Sequence, residues 1–210
     1  MRLQKRGLRN CFILGARPSN PGQCRFAAQA CTLRFIPMRA ELSGVEVLGN
    51  PEYPPRKAIE DISPGMAPVI DARGVLGAGV IGYILVAWLQ ERSVTAAVRD
   101  GPVRDAFEVT AGSPPVFCAG STGPASLNVH FGANLQRPID CGGVAVIPGD
   151  VLVGDSDGVV VSPAAPAEEV VCDGGEQERL ETFLKKRVAG SHPTIGTYPP
   201  NPETLQAYEV

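Results

Sequence analysis

The 210-residue sequence predicts an α/β protein in which sheets are layered and helices cover one side. Three observations lead there. Residues 67–98 alternate a short apolar strand, an apolar helix and a second short strand, as a βαβ unit does. Residues 144–162 hold three short strands parted by tight turn signals, which is an antiparallel pattern. A charged helical stretch follows at 168–188. The two halves together do not make a doubly wound sheet, so a mixed architecture is expected.

Residues 1–28 are basic and turn-rich, with a short helix expected near Arg6–Phe12. Ala30–Ile36 alternates as a strand does. Ser43–Arg56 carries Gly44, Gly49, Pro51, Pro54 and Pro55 and reads as a loop, with a helical turn at Lys57–Ile62. Ala67–Ala72 is a buried-strand pattern that includes Asp71. A Gly-rich turn leads to a helix over Val80–Glu91, then a strand at Val94–Val98, a turn at Asp100-Gly101-Pro102 and a strand at Pro115–Ala119. Val144–Ile147, Val151–Val153 and Val159–Ser162 are separated by Pro148-Gly149-Asp150 and Asp155-Ser156-Asp157-Gly158, and read as a tight C-terminal β-meander. Glu168–Val188 follows as a helix, weakened in the middle by Gly174 and Gly175. Pro193, Pro199, Pro200 and Pro202 make the tail an extended one. The expected partition is an N-terminal extension at 1–28, a main domain at 29–190 and a Pro-rich tail at 191–210.

Charge and hydropathy exclude some classes of function. Nineteen Lys and Arg against 22 Asp and Glu give a net charge of −3, with no footprint for nucleic acid. The apolar-plus-Gly run Val75–Leu89 is 15 residues long, short of the ~20 needed to cross a bilayer. The apolar stretch Cys11–Ala16 is shorter than the ~7–15 residues of a signal-peptide core, so a cytoplasmic protein is expected. The six cysteines form no CxxC pair, which fits neither a zinc site nor a disulfide scaffold.

Two constellations can carry chemistry. Gly77-Ala78-Gly79-Val80-Ile81-Gly82 matches GxGxxG, with Asp100 18 residues past the last glycine. Arg73–Leu76 intervene where a dinucleotide fingerprint wants an immediate turn, and no second βαβ half follows. A nucleotide site, a structural turn and a simple anion site all remain readings of these glycines. For the last, a helix starting near Gly82 offers free N–H groups and a positive dipole end to one carboxylate. The second constellation is Asp100-Gly101-Pro102-Val103-Arg104-Asp105. Arg104 can clamp a carboxylate with two parallel hydrogen bonds, and Asp105 is a hard oxygen ligand for Mg2+ or Mn2+. Taken alone, such a pair is more often a surface ion pair or a helix cap. Asp155-Ser156-Asp157-Gly158 lacks the closing glutamate of a calcium loop and reads as a hairpin turn. His130 reads as a packed imidazole. Ser121 and Ser126 lack the strand–turn–helix setting of a nucleophile.

The combination is more specific than its parts. Gly82-Tyr83-Ile84-Leu85, then Asp100-Gly101-Pro102-Val103-Arg104-Asp105, Pro115-Val116-Phe117, Cys141-Gly142-Gly143-Val144-Ala145-Val146-Ile147-Pro148-Gly149-Asp150-Val151 and Gly154-Asp155-Ser156-Asp157-Gly158-Val159-Val160-Val161 strongly resemble the RraA-like family. That family contains the metal-dependent 4-hydroxy-4-methyl-2-oxoglutarate aldolases and the regulator of ribonuclease E activity. The resemblance runs from about Gly7 to the C-terminus. Its functional mark is the 22-residue step from Gly82 to Arg104, followed at once by Asp105.

The resemblance implies a three-layer α/β/β swivelling-type sandwich, assembled as a homotrimer or hexamer with sites at subunit interfaces. It implies that Gly82, Tyr83, Ile84, Leu85 and Arg104 hold the pyruvate part of a substrate. Asp105 would hold a divalent metal, Mg2+ or Mn2+, with Arg104 and Asp105 as the catalytic pair. An acidic residue from a neighbouring subunit would contribute, with Glu176, Glu178 and Glu181 as candidates. The implied activity is a lyase that cleaves 4-hydroxy-2-oxo carboxylates to pyruvate, with oxaloacetate decarboxylation as a side reaction. The alternatives are a non-catalytic regulator that binds ribonuclease E or a related partner, and a catalytically impaired paralogue. Two departures stand out. Tyr83 occupies a place where family members often carry Glu or Asp. The chain also begins later than family members usually do, so the extension at 1–28 is expected to be truncated.

Overall fold

The computed structural model describes residues 2–209. They group into two compact units, one of Leu8–Ala164 and one that joins the residues up to Gly7 to those from Ala165 onward. The chain opens in the second of these with helix α1 (Arg2–Lys5). The expected helix near Arg6–Phe12 does not form. Gly7 has φ +79, and beyond it the backbone is committed to a sheet, Ile13 N–H donating to Val159 O at 3.0 Å.

The larger unit runs β1 (Arg17–Pro18), β2 (Phe26–Pro37), α2 (Pro54–Glu60), β3 (Met66–Asp71), α3 (Tyr83–Glu91), β4 (Ala97–Arg99), α4 (Ala106–Ala111), β5 (Val116–Cys118), β6 (His130–Leu135), β7 (Ile139–Cys141), β8 (Val144–Val146), β9 (Val151–Asp155) and β10 (Gly158–Ser162). The α/β class is as the sequence predicts. Strands β2, β3, β4 and β5 are parallel, joined by crossovers through α2, α3 and α4. On its other side β2 pairs antiparallel with β9 through its first half and with β6 through its second, which is why it is 12 residues long.

One segment nearly closes this sheet. Cys11 and Ile13 exchange backbone hydrogen bonds with β10, and a few residues later β1 pairs with β5. The strand order is therefore β1-β5-β4-β3-β2-β9-β10 with its two ends bridged by residues 11–18. The three strands expected as a meander are divided between two sheets. β9 and β10 form the hairpin, with Asp157 N–H donating to the Asp155 carboxylate in its turn. β8 pairs instead with β7, a strand the sequence reading missed. The Pro148-Gly149-Asp150 turn thus moves the chain from one sheet to the other.

Strand alternation sorts most buried side chains into two of three core clusters, the third being Leu33, Phe35, Ala58 and Ile70. Val69, Val98, Phe117, Leu152 and Val159 face one cluster, where Phe26 and Phe117 pack with ring centroids 5.2 Å apart. Ala97, Val116 and Cys118, on the opposite faces, meet Val86 and Leu89 of α3 and Val109 of α4 in a second cluster. Arg99 breaks the pattern. It is wholly buried, and its three side-chain nitrogens have no hydrogen-bond partner among the described residues. Burial pulls its pKa down to about 10, which the Cys118 and Cys141 thiols only partly offset. A buried charge without a partner is costly. Arg99→Met, of similar length, is expected to stabilise the fold by about 1–4 kcal/mol. A thermal melt of the variant would then rise by roughly 2–4 °C per kcal/mol. A fall in Tm would mean that the guanidinium has partners of its own.

The smaller unit continues with α5 (Ala167–Ala189), α6 (Thr194–Thr197) and α7 (Pro202–Glu209). Gly174 and Gly175 leave α5 unbroken. Arg6 pairs with Asp173 and Arg2 donates to Gln177, so α1 and the residue after it span the weak turn from both sides. The tail expected to be extended instead ends in a helix, α7, whereas α6 is broken by non-helical backbone at Ile195 and Gly196. Pro202 sits in the first turn, where its missing N–H costs nothing, and the Asn201 side chain accepts from Thr204 N at 2.8 Å as the cap. Asn-Pro-x-Thr is a helix start that a count of prolines hides. Tyr208 of α7 packs on Phe183 and donates to Glu176 at 2.9 Å. No helix among the described residues is long and apolar enough to cross a membrane.

Candidate active site

Three loops leave the C-terminal ends of the parallel strands β3, β4 and β5, the place where open α/β sheets hold ligands. Their backbones are tied together. Arg104 N–H donates to Ile81 O at 2.9 Å and Val80 N–H to Pro102 O at 3.3 Å, joining the first loop to the second. Val103 N–H donates to Gly120 O at 3.0 Å, joining the second to the third. Beneath them the Asp100 carboxylate accepts from Ala72 N at 2.6 Å and Gly74 N at 2.9 Å. Loop geometry here is fixed by main-chain pairing, which suits a site that must hold its shape.

This stitching brings the six sequence-predicted residues to one place. Helix α3 starts at Tyr83, three residues later than expected, with Gly82 as an extended N-cap that offers no side chain to the helix end. The N–H groups of Tyr83, Ile84 and Leu85 have no acceptor among the described residues, as the first turn of a helix leaves them. Asp105 caps α4 in the left-handed region, at φ 56 and ψ 48, without using its carboxylate on the helix. A β-carbon on Gly82 would lie 2.7 Å from Asp105 Oδ2. Glycine is therefore what allows the carboxylate to stand against the start of α3. A β-carbon on Gly79 would meet Arg104 Cγ at 2.5 Å, so the arginine stem lies across that glycine.

Arg104 and Asp105 are both exposed, and neither side chain makes a hydrogen bond or ion pair among the described residues. A guanidinium, a carboxylate and three free amides are thus available to a ligand at one surface. Tyr83 is 46% exposed and Ile84 65%, while Leu85 packs partly on the α3 core. For a divalent cation, Asp105 is a single hard ligand beside open solvent. No cluster of three or more His, Cys, Asp or Glu residues that could enclose a metal exists among the described residues. That donor set fits Mg2+, which keeps most of its waters and takes one or two carboxylates. It does not fit zinc. Glu176, Glu178 and Glu181 lie on α5 in the other unit. Glu176 bonds Arg179 and Tyr208, and Glu181 accepts from Gln177 at 2.7 Å.

Sequence reading missed a second feature at the same strand ends. A cleft of about 1030 Å3 is lined by Asp71, Arg73, Asp100 and Asp140 and by none of the six residues above. Asp71 was legible only as the end of an apolar strand. An Asp in that position, at the C-terminal end of a parallel strand, was the signal. His130, a packed imidazole as expected, is fully buried and its pKa is lowered to about 4, by burial first and by Arg73 second. Gly77 to Gly82 lie in an 11-residue connection between Asp71 and Tyr83, not in an immediate strand-to-helix turn.

Fold and loops together define an α/β protein with tied loops at its parallel strand ends and an open, polar surface around Arg104 and Asp105. The chain belongs to the RraA-like family, whose Aldolase/RraA model matches residues 2–161. It is 37% identical over 154 residues to a protein of Halalkalibacterium halodurans named "Putative 4-hydroxy-4-methyl-2-oxoglutarate aldolase", covering 73% of each chain. It is 27% identical over 146 residues to the 4-hydroxy-4-methyl-2-oxoglutarate aldolase of Thermus thermophilus, covering 70% of this chain and 80% of that one. Among solved structures it is similar to Streptomyces coelicolor RraAS2, described as an unusual member of the RNase ES inhibitor RraA protein family. The TM-score is 0.79 at 31% identity, over 89% of both chains.

Proposed function

We propose that the protein is a divalent-metal-dependent lyase that cleaves 4-hydroxy-2-oxo carboxylates to pyruvate, with oxaloacetate decarboxylation as a side activity. The observation that carries this reading is the convergence of unpartnered Arg104 and Asp105 side chains with the free amides of Tyr83, Ile84 and Leu85 around Gly82. The amides and Arg104 bind the C1 carboxylate, the amides through the helix end and the guanidinium as a planar fork. Asp105 would hold a divalent cation, Mg2+ or Mn2+, which would supply Lewis-acid polarisation of the 2-keto oxygen. Cleavage breaks the C3–C4 bond as the C4 hydroxyl gives up its proton and becomes a carbonyl. The electron pair moves to C3 and the 2-keto oxygen, and protonation at C3 completes pyruvate. Oxaloacetate loses CO2 through the same electron flow, so one site serves both reactions. The proton acceptor belongs to a second chain in this proposal, which assembles as a homotrimer or hexamer with Glu176, Glu178 or Glu181 of α5 facing a neighbour's site.

A coupled assay for pyruvate release tests the reading. Turnover of 4-hydroxy-4-methyl-2-oxoglutarate and oxaloacetate is expected with Mg2+ or Mn2+ and is expected to stop with chelator. No pyruvate from either substrate at any metal concentration would sink it. The second reading is a regulator that binds a ribonuclease E-type partner. The likeness to RraAS2 over 89% of both chains favours it, and co-sedimentation with such a ribonuclease separates the two.

Tyr83 sets the expected rate. A phenol is neutral at pH 7 and a poorer base than a carboxylate, yet it can still hydrogen-bond a water. Tyr83 is exposed at the first residue of α3, one position after the Gly82 against which the Asp105 carboxylate stands. Tyr83→Glu is expected to tighten Mg2+ binding and raise turnover several-fold. A folded variant with both quantities unchanged would remove position 83 from the chemistry.

A further inference from the structure

The cleft at the ends of β3, β4 and β7 holds charges that the fold keeps apart. Asp71 is only 8% exposed. Its Oδ1 accepts from Arg73 N at 2.9 Å, and its second oxygen makes no hydrogen bond or ion pair among the described residues. Asp140 is similar. One oxygen accepts from Gly143 N at 2.9 Å, and the other is free at the rim. Asp100 is fully used by the Ala72 and Gly74 amides. Burial pushes the Asp71 carboxyl up, and Asp100 and Asp140 push it further, so the cleft favours an incoming cation.

Arg73 and Arg17 line the same cleft and neither forms an ion pair with a described residue; Arg17, at the exposed edge, donates to Asp157 O. The Arg73 backbone is left-handed, at φ +61. The guanidinium donates to Val129 O at 3.1 Å and to His130 Nδ1 at 3.4 Å. His130 is held neutral at physiological pH by burial and by this same arginine. Arg73 therefore has two neutral partners and no counter-charge among the described residues. A carboxylate and a guanidinium from one short turn face one cavity without neutralising each other. Leu14, Leu76 and Ala119 supply an apolar wall beside them.

We infer that this cleft binds a small zwitterion of the α-amino-acid type, with its ammonium on Asp71 and Asp140 and its carboxylate on Arg73. Such a ligand pairs both stranded charges at once, which neither an amine nor an acid alone can do. The site is separate from the lyase surface. It shares none of Gly82–Leu85, Arg104 or Asp105, and its occupation needs no metal.

Calorimetry on the full chain tests this with L-leucine, 3-methylbutylamine and 4-methylpentanoate, which differ only in the charges they keep. L-leucine is expected to bind at least about tenfold more tightly than either single-charge analogue, the loss that goes with one charge-assisted hydrogen bond. Asp71→Asn keeps the acceptor for Arg73 N and removes the charge, and is expected to weaken L-leucine by a similar factor. Arg104→Lys is expected to leave L-leucine binding unchanged. Equal affinity for all three probes, or no heat with L-leucine, overturns the inference. Loss of binding in Arg104→Lys also overturns it, since the amino acid would then sit at the lyase surface. If Asp71→Asn does not fold, the analogue series on the unaltered protein decides alone. Pyruvate release is read in a separate assay, so either reading can fail without the other.

Discussion

Asp105→Ala is expected to lower pyruvate release by about a thousandfold or more, the rate equivalent of losing several kcal/mol of Lewis-acid stabilisation. Asp105 is the one carboxylate that stands at the start of α3, 2.7 Å from where a β-carbon on Gly82 would be, and no described residue engages it. Extra Mg2+ is not expected to restore the rate, because the ligand itself is gone. Backbone effects have to be separated from chemical ones. Asp105 is left-handed, and alanine there costs about 1 kcal/mol or more of strain. Asp and Asn tolerate that conformation better than most residues, so Asp105→Asn is the companion variant. It is expected to melt near the parent and still to lose most of its turnover. Oxaloacetate turned over by Asp105→Ala at the parental rate would place the metal elsewhere.

Arg104→Lys is expected to be the next most severe change. The arginine stem lies across Gly79, whose β-carbon would come within 2.5 Å of Arg104 Cγ, and its guanidinium is left free above the loop junction. Lysine keeps a charge and a stem but cannot offer two parallel donors to one carboxylate. Losing a charge-assisted pair costs about 1.5–3 kcal/mol, or roughly 10- to 100-fold in kcat/KM. Because the pyruvate carboxylate is held alike in substrate and transition state, the loss is expected chiefly as a raised KM, with kcat less changed. Unchanged steady-state constants would move the substrate away from Arg104.

Much of this architecture was legible because local pattern and final environment agree. Residues 67–71 and 116–118 are short apolar runs, buried on both faces of a parallel sheet, and they read as strands from composition alone. The partition of the C-terminal strands was not legible. Pro148-Gly149-Asp150 looks like any hairpin turn, and nothing local says that Val144–Val146 pairs backward with Ile139–Cys141. Pairing partners are long-range facts. The same holds for the stretch 11–18, whose strand character depends on residues more than 100 positions away. At the site, the glycines and the Arg-Asp pair were visible as types. That Gly79 and Gly82 are small in order to admit Arg104 and Asp105 was not, since both contacts cross between loops. Arg99 was invisible for the opposite reason: a charged residue in an apolar run gives no sign that it will be buried without a partner.

The bridging segment at residues 11–18 also orders events during synthesis. Its partners are β5 near residue 117 and β10 near residue 160, so this stretch leaves the ribosome well before the strands it pairs with. Until residues 158–162 emerge, β2 to β5 can pair in sequence, but the sheet has two open edges and its larger core is uncovered. Long loop closures of this kind slow folding, and open edges invite pairing between chains. The nascent chain is therefore most exposed to aggregation in the interval between completion of β5 and arrival of the β9–β10 hairpin. A chaperone that covers apolar sheet edges would act on this protein in that interval.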